Sequence, residues 1–180
     1  MADNETPELK YHSAMQEFLH GRGWENDELK IDVVDRTVEY YATLDIGQTQ
    51  GRVVVAAHED DDLVDVYIYF GFKCKEAKRI QMAETLNGIH RRCAFGCFDM
   101  DPEDGELRWH HRVHFEGCTP TGTAVENIFG PGWSVCRRYV DVLTAVALTK
   151  QSPAEAFADF DTAEEFEEMK STDRGRQMLN

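Results

Sequence analysis

Between Val64 and Phe115 the chain alternates, breaks into a helical period and alternates again, and that order of periods leaves few folds open. Val64, Val66, Ile68 and Phe70 fall on one side of a period-two strand, with Asp65, Tyr67 and Tyr69 on the other. Leu107, Trp109, Val113 and Phe115 share one face of a later strand, and Arg108, His110, Arg112 and His114 share its opposite face. Strands patterned this way suit an antiparallel sheet with one side on a core and one side wetter. Met82, Leu86, Ile89 and Cys93 recur at helical spacing between them, so the link from 74 to 96 reads as a helix that buries its stripe on the sheet. Asp101-Pro102-Glu103-Asp104-Gly105-Glu106 is a turn signal, since proline fixes one φ and glycine supplies a positive one. A hairpin of 97–101 with 106–115 follows.

The flanks extend the pattern. Leu9, Ala14, Met15, Phe18 and Leu19 give a helical stripe from Glu8, stopped at Gly21 and Gly23. Trp24 then leads into an acidic connector, Glu25 to Lys30. Val38 to Ile46 alternates as a strand, Gly47 to Gly51 turns, and Arg52 to Ala57 forms a short β-branched strand ending at Asp60-Asp61-Asp62. Thr123-Ala124-Val125-Glu126 and Ser152-Pro153-Ala154-Glu155 read as capping boxes. The first opens a helix expected to stall at Gly130-Pro131-Gly132 and resume near Ser134. A last short helix is expected from Asp161, carrying Phe166 and Met169, with a frayed end from Ser171. The fold class is therefore α+β: a five-stranded antiparallel sheet with helices packed on it, in the order α-βββ-α-ββ-α. Residues 1–150 form the domain, and 151–180 form an acidic carboxy-terminal helical extension.

Charge narrows the partners. The net charge is −15, with 15 acids against 5 bases over residues 1–62 and a balanced centre over 63–115. Repulsion from phosphates argues against nucleic acid or an anionic membrane as partner. No apolar run approaches the ~18–20 residues that span a bilayer. The five cysteines are odd in number and irregular in spacing, and Met1-Ala2-Asp3-Asn4-Glu5 is no secretory leader, so reduced thiols in a cytoplasm are expected.

No catalytic set emerges. His110 and His114 lie on one strand face ~13 Å apart along the strand, too far to share a metal, and His111 points the other way. Cys93 and Cys97 bracket a helix-to-strand junction but form no CxxC pair. Glu59 to Asp62 lacks the alternate acids and central glycine of a calcium loop, and reads as a solvated turn. No GxSxG elbow, phosphate loop or GxGxxG is present. The wetter sheet face is the better candidate. Tyr41, Tyr67, Tyr69, His110, Arg112 and His114 would gather there if their three strands lie near one another, and tyrosine and arginine are enriched in interface cores. The competing expectation is that the carboxy-terminal helices, with Phe157, Phe160 and Phe166, cover this face.

Val66-Tyr67-Ile68-Tyr69-Phe70, Lys75-Glu76-Ala77-Lys78-Arg79, Leu86-Asn87-Gly88-Ile89-His90 and the run from Phe95-Gly96 to Gly105-Glu106-Leu107 resemble the YbjN-type domain, a bacterial family labelled as sensory-transduction regulators. The likeness covers about residues 8–150. It implies a fold similar to type III secretion chaperones, a twisted antiparallel sheet with helices against it, and no catalytic motif to transfer. Gly130-Pro131-Gly132 and the acidic extension depart from the pattern. The expected function is a non-enzymatic cytoplasmic protein-interaction or regulatory module, chaperone- or adaptor-like, with no cofactor, acting on a protein partner or as a homodimer. The rival is a metal- or redox-responsive sensor or small enzyme using His110 and His111, or Cys93 and Cys97.

Overall fold

The computed structural model describes residues 9–24 and 29–178, with side chains described as far as Glu165. The expectations for residues 1–7, for most of the connector after Trp24, and for the side chains of Phe166 and Met169 lie outside the described residues. The elements run α1 (Lys10–Gly21), β1 (Leu29–Asp32), β2 (Thr37–Ile46), β3 (Thr49–His58), β4 (Leu63–Lys73), a 3-10 turn (Glu76–Lys78), α2 (Arg79–His90), β5 (Cys97–Met100), β6 (Glu106–His114), α3 (Gly122–Leu148) and α4 (Pro153–Met178). One antiparallel sheet has the order β1-β2-β3-β4-β6-β5.

The sheet has six strands, not five. The extra strand is β1, whose Leu29 and Lys30 belong to what reads in sequence as a connector. It is only four residues long, it pairs on one side with the start of β2, and most of it is exposed, so its alternation is too short to stand out. The element order is accordingly α-ββββ-α-ββ-α-α.

Period-two patterning decides which side is buried. Val38 and Tyr40 on β2, Val53 and Val55 on β3, Val66 and Ile68 on β4, Leu107 and Trp109 on β6 and Phe98 on β5 occupy one face, and all are buried. The helices pack on that face. α1 lies against β2 and α3, and α3 crosses β4 and β6. Phe129 meets Phe18 and Trp24, while Trp24 stacks on Tyr40 at 5.4 Å. α2 sits by β5, where the backbone N–H of Phe98 donates to His90 Nε2 at 2.9 Å.

The acidic turn after β3 anchors α1. Glu59, only 6% exposed, accepts from the backbone N–H of Tyr11 at 2.7 Å, which satisfies a free amide in the first turn of the helix. Asp62 pairs with Lys10 and Asp60 with Arg36. At the other end, Glu17 accepts from the N–H of Gly122 at 3.0 Å and so joins α1 to the start of α3.

Three helix boundaries depart from expectation. α3 begins two residues early because Thr121, not Thr123, caps it, its hydroxyl accepting from Ala124 N at 3.1 Å. Glu126 is drawn away to Arg22, which donates to both carboxylate oxygens at 2.6 and 2.7 Å. α3 also runs unbroken through Pro131. Proline removes one backbone bond there, but Phe129, Gly132, Cys136 and Tyr139 bury the same face on both sides of it. Finally, α4 is a single helix from Pro153 to Met178, where a separate helix was expected to start at Asp161 and to fray from Ser171. The box at Ser152 and Glu155 does form: Ser152 N–H donates to Glu155 at 2.8 Å and Glu155 N–H to the Ser152 hydroxyl at 3.3 Å.

Gly132 is the tightest contact between α3 and the sheet. A Cβ there would lie 2.2 Å from Trp109 Cη2. Gly132→Ala is expected to destabilise the protein by roughly 1–3 kcal/mol, the usual range for overpacking. Urea unfolding checks this, with an unchanged midpoint as the contrary result.

Candidate interaction surface

The opposite phase of the same strands makes the second face of the sheet. Strand register sets its rows. Tyr41, Val54, Tyr67, His110 and Cys97 lie side by side across β2, β3, β4, β6 and β5. The next row is Thr43, Arg52, Tyr69, Arg108 and Asp99, and on the other side lie Glu39, Ala56, Asp65 and Arg112. Ring contacts to the sheet from α3 and from the segment after α1 go to the core face, as with Tyr139 on Phe98 and Trp24 on Tyr40. α4 packs on α2 and α3, with Phe157 over Gly88 and Phe160 stacked on Tyr139 at 5.1 Å. Through residue 165, the extension therefore lies behind the helices, and the expected covering of the second face by Phe157 and Phe160 does not occur.

The rows form a lattice of rings and guanidinium groups. Tyr67 stacks on Tyr69 at 6.1 Å and on His110 at 6.0 Å. Arg52 lies 4.3 Å over the Tyr69 ring, Arg108 5.3 Å over Tyr67 and Lys30 4.4 Å over Tyr41. Tyrosine keeps its ring on the sheet and its hydroxyl in water, and a cation on its face gains from the ring quadrupole. Tyr41 donates to Glu39 at 2.7 Å, and that hydrogen bond is the largest cause of its raised pKa.

Two carboxylates pin the margin of the lattice. Asp65 is 3% exposed and accepts two bonds from Arg112, both at 2.7 Å, with His58 Nε2 3.6 Å away. Those bonds raise the pKa of Arg112 above its ordinary value, so its guanidinium stays charged. Asp99 lies 3.0 Å from His110 Nε2 and 3.3 Å from Arg108. Lys30 and Arg52, by contrast, pair with no carboxylate among the described residues.

Of the six residues expected on this face, Tyr67, Tyr69 and His110 come together on adjacent strands, with Arg112 one row away. Tyr41 is one strand further off, behind Val54, and His114 lies at the far end beside Leu63. Arg52 and Lys30 were missed, and Arg108, placed on this face by its alternation with His110 and Arg112, was left out of the candidate set. The signal for Arg52 was present: a turn centred between Asp60 and Asp61 places it opposite Tyr69.

The rival residues are dispersed. His111 lies on the core face, 4.2 Å from the Phe95 ring. Cys97 is exposed beside His110, while the Cys93 thiol turns back to the carbonyl of Phe95 at 3.1 Å, and both are free thiols. Among the described residues, no three His, Cys, Asp or Glu side chains are grouped to hold a metal ion. No described helix is long and apolar enough to cross a membrane.

No family model matches the chain, and no curated protein matches it. One solved structure, that of the HopA1–SchA chaperone–effector complex, is similar over 76% of this chain and 96% of that chain, at 12% identity and a TM-score of 0.46. Nothing about partner or chemistry passes to this chain at that level of similarity.

Burial lowers the pKa of His111, and the nearby His110 adds to the effect. The unfolded chain takes up this proton near the ordinary value of about 6.5, and the folded chain only at lower pH. The His111 contribution to stability is therefore intact above pH 6.5 and lost as pH falls below it. Urea midpoints measured from pH 7.5 to 5 are expected to fall more steeply for the wild type than for His111→Phe. Parallel slopes would contradict this.

Proposed function

We propose that the protein is a non-enzymatic protein-interaction module, chaperone- or adaptor-like, whose second sheet face docks a carboxylate-bearing segment of a partner protein. The observation that carries this reading is the row in which Arg52, with no carboxylate partner among the described residues, lies 4.3 Å over the Tyr69 ring beside Tyr67 and Arg108. A guanidinium already held over a ring can receive a carboxylate bidentately with little loss of freedom. Aromatic and arginine side chains are also the commonest hot spots of protein interfaces.

A protein segment suits the face better than nucleic acid. The cations are few and locally offset by Glu39, Asp65 and Asp99, so a short acidic stretch can be matched. A long polyanion would run past them onto a chain of net charge −15. The regulatory role implied by the YbjN resemblance, in a cytoplasmic protein or homodimer, is of the same kind. It too would act through contact with a protein.

The test is variant-dependent retention. The tagged wild type and Arg52→Glu/Tyr69→Ala are used to purify partners from the native host, with circular dichroism confirming equal folding. A retained protein is expected to bind the double variant at least about 30-fold more weakly, the effect of losing a hot spot worth ~2 kcal/mol. Amide exchange should show protection along β3, β4 and β6 in the complex. Retention unaffected by the double variant, or protection produced by a single-stranded oligonucleotide instead, would overturn the reading.

A further inference from the structure

We propose that the groove between α2 and α3 is a second docking site, built for an amphipathic helix of a partner protein and occupied in this chain by α4. The requirements can be read from what α4 presents. Phe157 and Phe160 stand one turn apart; Phe157 lies over Gly88, where a Cβ would come within 2.7 Å of its ring, and Phe160 stacks on Tyr139. Asp161 and Glu164 follow at one-turn spacing. Asp161 accepts from Arg92 at 2.6 and 3.2 Å, and Glu164 from Arg138 at 2.8 and 2.6 Å. The groove thus selects aromatic residues at i and i+3 and acids at i+4 and i+7, which is the helix-in-groove mode with charged rim contacts.

Three observations show that α4 holds the site without completing it. Both clamps are exposed, the Arg92 side chain at 40% and the Arg138 side chain at 50%, so water and salt weaken them. A cleft of about 320 Å³ stays open between α3 and α4, floored by Val142, Ala145 and Ala156. The Tyr139 hydroxyl, on a residue 1% exposed that stacks with Phe160, has no hydrogen-bond partner among the described residues. An unpaired buried donor costs free energy that a better-matched helix would recover. The link from the end of α3 at Leu148 to Pro153 is four residues long and makes no strand pairing, so displacing α4 costs the burial of Ala156 and the Lys78 bond to the Gln151 carbonyl but no hydrogen bond of the sheet. Charge complementarity favours an acidic occupant: Lys78, Arg92 and Arg138 outnumber Asp141 among the charged groups that α4 meets. The site is separate from the sheet face discussed above and survives if that reading fails.

The probe is a fluorescein-labelled peptide with the sequence Ser152 to Glu165, titrated against full-length protein and followed by anisotropy. Phe157→Ala/Phe160→Ala in the full chain weakens the resident helix and leaves the groove intact. This variant is expected to bind the peptide at least tenfold more tightly than the wild type does. Raising salt, or carrying Asp161→Lys/Glu164→Lys in the peptide, should reduce that binding. A variant that is folded by circular dichroism yet does not bind the peptide overturns the proposal. So does equal binding to variant and wild type. If the double alanine variant unfolds, Asp161→Lys/Glu164→Lys in the full chain releases α4 without opening a cavity, and the same two outcomes decide.

Discussion

Trp109 sets the geometry of the molecule. It is fully buried on β6, and positions for a Cβ on Gly96 and on Gly132 would both fall within 2.2 Å of its indole ring. Both glycines are thus pressed against one ring, one where β5 begins and the other midway along α3. A large planar side chain can be enclosed this way only if the residues on either side have none. The long helix is held against β6, next to the edge strand β5, at that point. α1 then reaches α3 through Arg22 with Glu126 and through Glu17 with the amide of Gly122. α2 and α4 fill the remaining flank.

Because α1, α2, α3 and α4 through residue 165 are drawn to the Trp109 side, no described helix covers the other side of the sheet. Strand sequences must reconcile themselves to that, and these do so with tyrosine, arginine and short ion pairs rather than with a plain polar surface. Asp65 illustrates the balance. A carboxylate buried to 3% exposure is costly unless fully paired, and two bonds from Arg112 with His58 nearby provide that pairing. The result is an ordered surface whose side chains are already positioned, which lowers the entropy lost when a partner binds.

The period-two and period-3.6 patterns made most of this legible. A helix after β4, the hairpin of β5 with β6, and the sidedness of Val66, Ile68 and Trp109 against Tyr67, Tyr69 and His110 all follow from spacing alone, although α2 spans only Arg79–His90 within the expected 74–96 and leaves Cys93 beyond its end. β1 was missed because four residues are too few for alternation to show. The continuity of α3 was missed because local breakers at Gly130, Pro131 and Gly132 argued for a stop, while the burial that carries the helix through comes from strands and helices far away in the chain. Thr123 and Glu126 satisfied a capping pattern, but the pattern cannot show that Arg22, over a hundred residues earlier, competes for the glutamate.

The sequence by itself determined which residues could share a side of a strand or a stripe of a helix, because those periods are fixed by backbone geometry. It also determined that the ends would be acidic and the centre balanced. Only the tertiary structure decided that Arg108 lies opposite Tyr69, that α3 runs on through Pro131, and that α4 turned to α2 and α3 instead of the open sheet. Those choices depend on contacts between segments distant in the chain. Their outcome is set by how volumes such as Trp109 and Gly132 fit together, and no local pattern encodes that fit.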